Sequence, residues 1–227
     1  MTTFRGLGII SFGVAIGLLL FVSGCQERVE SAGPKAMEAI LKHDYKTAET
    51  LAQSVPGLGN YEEKGALRLT VLHRAAYAGQ PKLVDLLIAN GGDVNNRRHD
   101  GGTVLHSAVA GAKNTETIRR IIAAKVDINA VDNNGETSLH SVVRVPNVAA
   151  VRTLIEAGAN TSTKDKYGKT PLQTAKNMRE VLTKANAGAL DDSLAARAQA
   201  VAVKTMAGKG GDAAIDEIIA LLEAKGK

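Results

Sequence analysis

The stretch TVLHRAA, Thr70 to Ala76, decides how the rest of the chain is read. It returns as TVLHSAV at 103–109 and as TSLHSVV at 137–143, and TPLQTAK at 170–176 keeps its threonine and leucine. Thr70, Thr103, Thr137 and Thr170 are 33, 34 and 33 residues apart. Self-similarity at such a period marks stacked structural repeats. The same spacing carries three histidines, His73, His106 and His140, so a metal site has to be weighed against a scaffold.

Further marks keep the same register. Leu72, Leu105, Leu139 and Leu172 follow the threonines by two residues, and DVN (93–95), DIN (127–129) and NTS (160–162) follow later. Asp100-Gly101, Asn134-Gly135 and Tyr167-Gly168 supply turn residues just before the next threonine. Between these marks lie two helical patterns. In the first repeat Leu72, Ala75 and Ala76 share one face of a short helix ending at Gly79. A second helix begins near Pro81, a residue favoured at a first helical position, carries Leu83, Val84, Leu86, Leu87 and Ile88, and stops at Gly91-Gly92.

Helix, turn, helix and hairpin in 33 residues resembles the ankyrin repeat, whose mark is T-P-L-H-x-A, over roughly Tyr61 to Met178. The resemblance implies an all-α solenoid of stacked helix-turn-helix units with short β-hairpin loops and helical caps at both ends. It also implies that each motif histidine bonds backbone groups of its own turn and of the neighbouring repeat. The metal alternative would make this a metal-handling or hydrolytic protein. It asks three nitrogens to come within ~2.1 Å of one zinc, although stacked helices lie ~10 Å apart. The fourth repeat, moreover, carries Gln173 in place of the histidine. The expectation is a structural motif, with no metal, cofactor or catalytic role. Departures remain. Val71, Val104 and Ser138 replace the proline kept at Pro171, and Lys125 stands where Gly91 and Gly158 end the second helix. An extra residue falls around 113–116 and others between Gly65 and Thr70, so repeat two should be the least stable and the first hairpin irregular.

The N-terminus has a different composition. Arg5 is the only charge in residues 1–24, and Leu7–Val22 is a 16-residue apolar run, the layout of a secretory signal. VSGC, Val22 to Cys25, resembles the lipobox of bacterial lipoproteins, in which the chain is cut before the cysteine and the thiol is lipidated. Cys25 is the sole cysteine. The alternative is an uncleaved anchor, since Gly6–Gln26 is a charge-free stretch of 21 residues, close to the ~20 a membrane span needs. The resemblance implies an envelope protein facing the periplasm, and Gln26 rather than Asp after the cysteine points to the outer membrane. The plan is therefore a signal at 1–24, a linker at 25–33, a helical cap at 34–60, about four repeats at 61–186 (the fourth partial), and a helical cap or tail at 187–227. In the last of these Leu194–Ala207 and Ile215–Leu222 have helical periodicity.

Without the first 24 residues the chain has a net charge of +4, far from a nucleic-acid binder's dense basic stripe. Phe4, Phe12 and Phe21 all lie in the signal and there is no Trp, so the core is built from Ala, Leu, Ile and Val. No nucleophile elbow, phosphate loop or His-Glu-x-x-His spacing occurs. Protein binding remains. By the resemblance, Arg74, Tyr77, Ser107, Ala110, Ser141, Arg144, Thr174 and Asn177 face the groove. Arg97, Arg98, His99, Lys164, Lys166 and Tyr167 crown the hairpin tips beside Asp100, Asp132 and Asp165. Arg and Tyr dominate interface energetics, and the basic surplus suits a partner with an acidic surface. Neither the core nor the stacked histidines need Arg74 or Arg144, so reversing their charge should barely alter stability.

Overall fold

A computed structural model describes residues 9–111, 114–145, 147–186 and 211–225. Ten α-helices are present among them: α1 (Ile9–Leu41), α2 (Tyr45–Ser54), α3 (Val71–Tyr77), α4 (Pro81–Ala89), α5 (Val104–Gly111), α6 (Thr115–Ala123), α7 (Ser138–Arg144), α8 (Val148–Glu156), α9 (Pro171–Asn186) and α10 (Gly211–Lys225). Among the described residues the extended structure is limited to antiparallel bridges, Glu62 with Thr70, Arg97 with Thr103 and Val131 with Thr137.

The helices form two rows. An inner row runs α1, α3, α5, α7, α9, each touching the next, and an outer row runs α2, α4, α6, α8, α10. Each inner helix packs on the outer helix that follows it, giving five helix pairs in one all-α solenoid. Threonine starts the inner helices: the Thr70 hydroxyl accepts the His73 N–H and the His73 ring accepts the Thr70 N–H, closing a capping box. Pro81 opens α4, while Asn114 and Asn147 cap α6 and α8 through their side-chain oxygens. Leu72, Leu83, Leu105, Ile118, Leu139 and Leu154 are fully buried between the rows. Small residues allow close approach, and a Cβ on Gly111 of α5 would lie 2.0 Å from the Tyr77 carbonyl oxygen.

A line of asparagines ties the repeats together along the outer edge. The Asn60, Asn95 and Asn129 side-chain oxygens accept the backbone N–H of Asp93, Asp127 and Asn160, each in the following repeat, at 2.8–2.9 Å. The hairpin tips are joined as well, His99 N–H to Leu67 O, Asn133 N–H to Asp100 O and Lys166 N–H to Asn134 O.

Three departures from the expected plan have physical causes. Residues 25–33, expected as a linker, belong to α1, which continues through Pro34. The reason is an apolar stripe that begins upstream of the proline. Val29 packs on the core, Ala32, Ala36, Met37 and Ile40 are buried, and Pro34 lies on the exposed side. Gly33 belongs to this contact, because a Cβ there would stand 2.1 Å from the Tyr61 ring. Second, α9 runs straight where the first repeat turns. Gly79 makes that turn at φ 70°, and its counterpart nine residues after Thr170 is Arg179. Third, the outer place of the fifth pair is taken by α10, whose Ile215, Ile218 and Leu222 are buried against α9 and α8. Arg152–Glu217, Lys176–Glu223 and Arg179–Asp216 pairs surround that contact. The expected helix at 194–207 lies outside the described residues, as does Lys113 at the start of the expected insertion at 113–116. The first hairpin is irregular, as its extra residues predict, and holds Arg68 at φ 49°.

Lys125 adopts φ 62° where Gly91 and Gly158 adopt 91°. A left-handed backbone at a residue with a Cβ costs about 1–2 kcal/mol. Repeat two carries that strain alone among the three second-helix ends.

Candidate functional site

The motif histidines are built into the backbone. In His106 and His140, Nδ1 accepts the Thr103 or Thr137 N–H at 3.1 Å, and Nε2 donates to the Glu136 or Lys169 carbonyl of the next hairpin at 3.1 Å. Both ring nitrogens are engaged, so neither has a lone pair facing outward for a metal. Among the described residues, no three His, Cys, Asp or Glu side chains gather to hold a metal ion. In the fourth repeat Gln173 takes the same position, its side-chain oxygen accepting the Thr170 N–H at 2.9 Å.

His73 differs from its counterparts. Its Nδ1 accepts the Thr70 N–H, which fixes the proton on Nε2, but Nε2 is buried and meets the Gly102 and Asn96 carbonyls only with poor alignment. The counterpart of the Glu136 and Lys169 carbonyls is that of Gly102, and Arg98 crowds this residue: a Cβ on Gly102 would lie 2.7 Å from Arg98 Nε. Asp132 and Asp165 hold the position of Arg98 in the next two repeats, where each carboxylate accepts two N–H groups of its own turn. Arg98 reverses that charge and turns toward the groove. Its guanidinium bonds Asp100 at 2.6 Å and reaches the buried Ser107 hydroxyl. Burial, reinforced by the Arg98 charge, lowers the His73 pKa to about 4.

These side chains border a cavity of about 320 Å³ between the first hairpin and the inner helices α3 and α5. Leu67 and Leu69 form its hairpin wall, Arg74 and Tyr77 its α3 wall, and Arg98 the opposite side. Arg74 pairs with Glu63 through Nη2 at 2.8 Å, and its buried Nε–H has no hydrogen-bond acceptor. Tyr77 is 49% exposed beside this opening.

The remaining residues expected to bind a partner divide by what they already hold. Arg97 donates to the Gly101 and Val131 carbonyls at 2.8 and 2.7 Å, joining two hairpins. Arg144 is clamped by both oxygens of Glu136, whose side chain is 8% exposed. Lys166 bonds the Asn134 side chain and lies 5.2 Å from the centre of the Tyr167 ring. Tyr167 is 71% exposed. Ser107 and Thr174, expected at the groove surface, are buried, as is Asp165 at its tip. The inner helices therefore lie closer together than their spacing in sequence implies. Reading the motif alone missed the cavity and the Asn60–Asn95–Asn129 line. The signal for the cavity was Arg98 in register with Asp132 and Asp165.

A profile of ankyrin repeats matches residues 36–132 and 105–184. The chain belongs to the ankyrin-repeat family. The first match reaches into α1 and α2, agreeing with their place as a helix pair of the same stack. Ankyrin repeat and SOCS box protein 6 of Homo sapiens is 33% identical over 108 residues, which is 44% of this chain and 26% of that protein. Diacylglycerol kinase zeta of Rattus norvegicus is 36% identical over 93 residues, 40% of this chain and 10% of that protein. Neurogenic locus notch homolog protein 1 of Danio rerio is 36% identical over 104 residues, 45% of this chain and 4% of that protein. The chain thus spans about a quarter or less of the length of each, and the likeness is one of ankyrin repeats. Ankyrin repeats are in general protein-interaction modules.

Proposed function

We propose that this is a lipid-anchored ankyrin-repeat protein of a bacterial envelope that binds a protein partner at its inner-helix face. It faces the periplasm, from the outer rather than the inner membrane, as tether, adaptor or inhibitor of an exported enzyme or toxin. The observation that carries the binding role is the face made by Tyr77, the cavity beside it and Tyr167 at the last tip. Large aromatic side chains left half or more exposed on a rigid stack are the kind that anchor interfaces. The anchor rests on VSGC with the single cysteine, Cys25. Among the described residues, no helix is long and apolar enough to cross a membrane.

The tyrosines serve as probes because their rings are about half and 71% exposed, whereas Arg74, Arg98 and Arg144 hold intramolecular ion pairs. Tyr77→Ala with Tyr167→Ala should reduce recovery of a crosslinked envelope partner at least ~10-fold, each anchor contributing more than about 1 kcal/mol, with an unchanged melt. Full recovery by the double variant would move the interface to the outer row. Separately, Cys25→Ala should accumulate a precursor that retains the 24-residue signal. Normal maturation and membrane attachment of that variant would remove the lipid anchor from the account.

A further inference from the structure

We infer that the cavity beside α3 receives a carboxylate side chain, Asp or Glu, from an extended segment of the protein partner, with an apolar neighbour against Leu67 and Leu69. This rests on the groove reading above and gives it a chemistry. The first support is a pair of poorly bonded groups. Arg74 Nε is buried and without a partner, His73 Nε2 has only the poorly aligned Gly102 and Asn96 carbonyls near it, and both residues line the cavity. Both are donors, since the Thr70 N–H occupies Nδ1 and a guanidinium only donates. Buried polar atoms are almost always paired, so the Arg74 Nε–H, with the weakly bonded His73 Nε2–H beside it, calls for an acceptor from outside.

The second support is the guanidinium lining. Two guanidiniums and one carboxylate, Asp100, line the cavity, while Glu63 pairs with Arg74. Arg98 is there because it replaces the aspartate that the following two hairpins use to close their turns. Glu63 and Asp100 balance these two guanidiniums, so the selection lies in their N–H groups, which bond an acidic oxygen and cannot bond a lysine or arginine. The third support is the wall opposite these donors. Leu67, 62% exposed, and Leu69 come from residues inserted between Gly65 and Thr70, and the His99 N–H to Leu67 carbonyl bond ties that insert to the next tip. The insert makes a wall that later hairpins do not have.

The probes are N-acetyl-Leu-Glu-Leu-amide and its Gln counterpart, titrated into the ¹⁵N-labelled full chain in detergent. The Glu peptide should shift the Arg74 Nε–H and His73 Nε2–H resonances and bind at least tenfold more tightly than the Gln peptide. Arg98→Asp restores the residue of the next two repeats, so it should fold as well as the wild type and lose the preference for Glu. Equal binding of both peptides, or no shift of either resonance at the highest soluble concentration, overturns the carboxylate site. Undiminished capture of the natural partner by Arg98→Asp overturns it too, but leaves the groove standing if the Tyr77 and Tyr167 variant still fails to bind.

Discussion

Acidification from pH 6.5 to pH 4 is expected to remove about 3 kcal/mol of folding stability through His73 alone, about 2 kcal/mol of it by pH 5. In the folded chain Nδ1 already accepts the Thr70 N–H, and a proton there would set two donors against each other. Burial and the nearby Arg98 charge further oppose the imidazolium and bring the pKa to about 4 from 6.5. The unfolded chain therefore binds more protons throughout that window. Stability is complete above pH 6.5 and falls as the pH drops toward 4. His106 acts in the same direction, its pKa lowered chiefly by burial. The fourth repeat supplies the control, because Gln173 makes the threonine bond without titrating. Urea melts of wild type and of His73→Gln with His106→Gln should diverge between pH 7 and pH 5, the variant staying nearly level. Carboxylates with depressed pKa values, such as Asp100 and Glu180, give up their share only below their ordinary values of 3.8 and 4.5. Parallel curves above pH 5 would show that the motif histidines are not the acid-sensitive groups.

The same histidines show how far the sequence could be read. Thr70-x-x-His73 and its copies place each residue along a repeat, because cap, helix face and turn depend on local spacing. The solenoid, the inner helices and the positive φ at Lys125 were all legible in that way. Contacts between repeats were less so. Whether Arg97 reaches the Val131 carbonyl, or Ser107 is covered, depends on how closely neighbouring inner helices stack, and that follows from small residues such as Gly111 meeting Tyr77 across the gap. The outer place beside α9 is the extreme case. Its occupant, α10, begins 25 residues after α9 ends, and only complementary packing brings Ile215 and Ile218 there. The site was half legible. Arg74 and Tyr77 followed from register, but the cavity needed Arg98 to be seen as the exception to Asp132 and Asp165.

Arg144 gives the sharpest reversal of an expectation from sequence. Read as an exposed groove residue, it should tolerate charge reversal at little cost. In the structure it faces Glu136, and that carboxylate is 8% exposed and joined to Arg144 by both oxygens. The Glu136 backbone carbonyl accepts His106 Nε2–H and its N–H donates to Asp132, so the residue is fixed between two repeats. It cannot swing into solvent without disturbing both bonds. Arg144→Glu would place a second negative charge against a buried one. Breaking a fully buried pair costs 3–5 kcal/mol; with Arg144 itself 45% exposed, about 2–3 kcal/mol is expected. A double-mutant cycle separates the pair from the single residues. Arg144→Met should lose nearly as much as Arg144→Glu, because either leaves Glu136 uncompensated. Adding Glu136→Met to Arg144→Met should recover most of the loss, since an apolar pair of similar volume needs no counter-charge. The measurement is the urea midpoint of the four chains at pH 7. A change below about 0.5 kcal/mol in Arg144→Glu would make the pair an ordinary surface contact and return Arg144 to the partner's side of the groove.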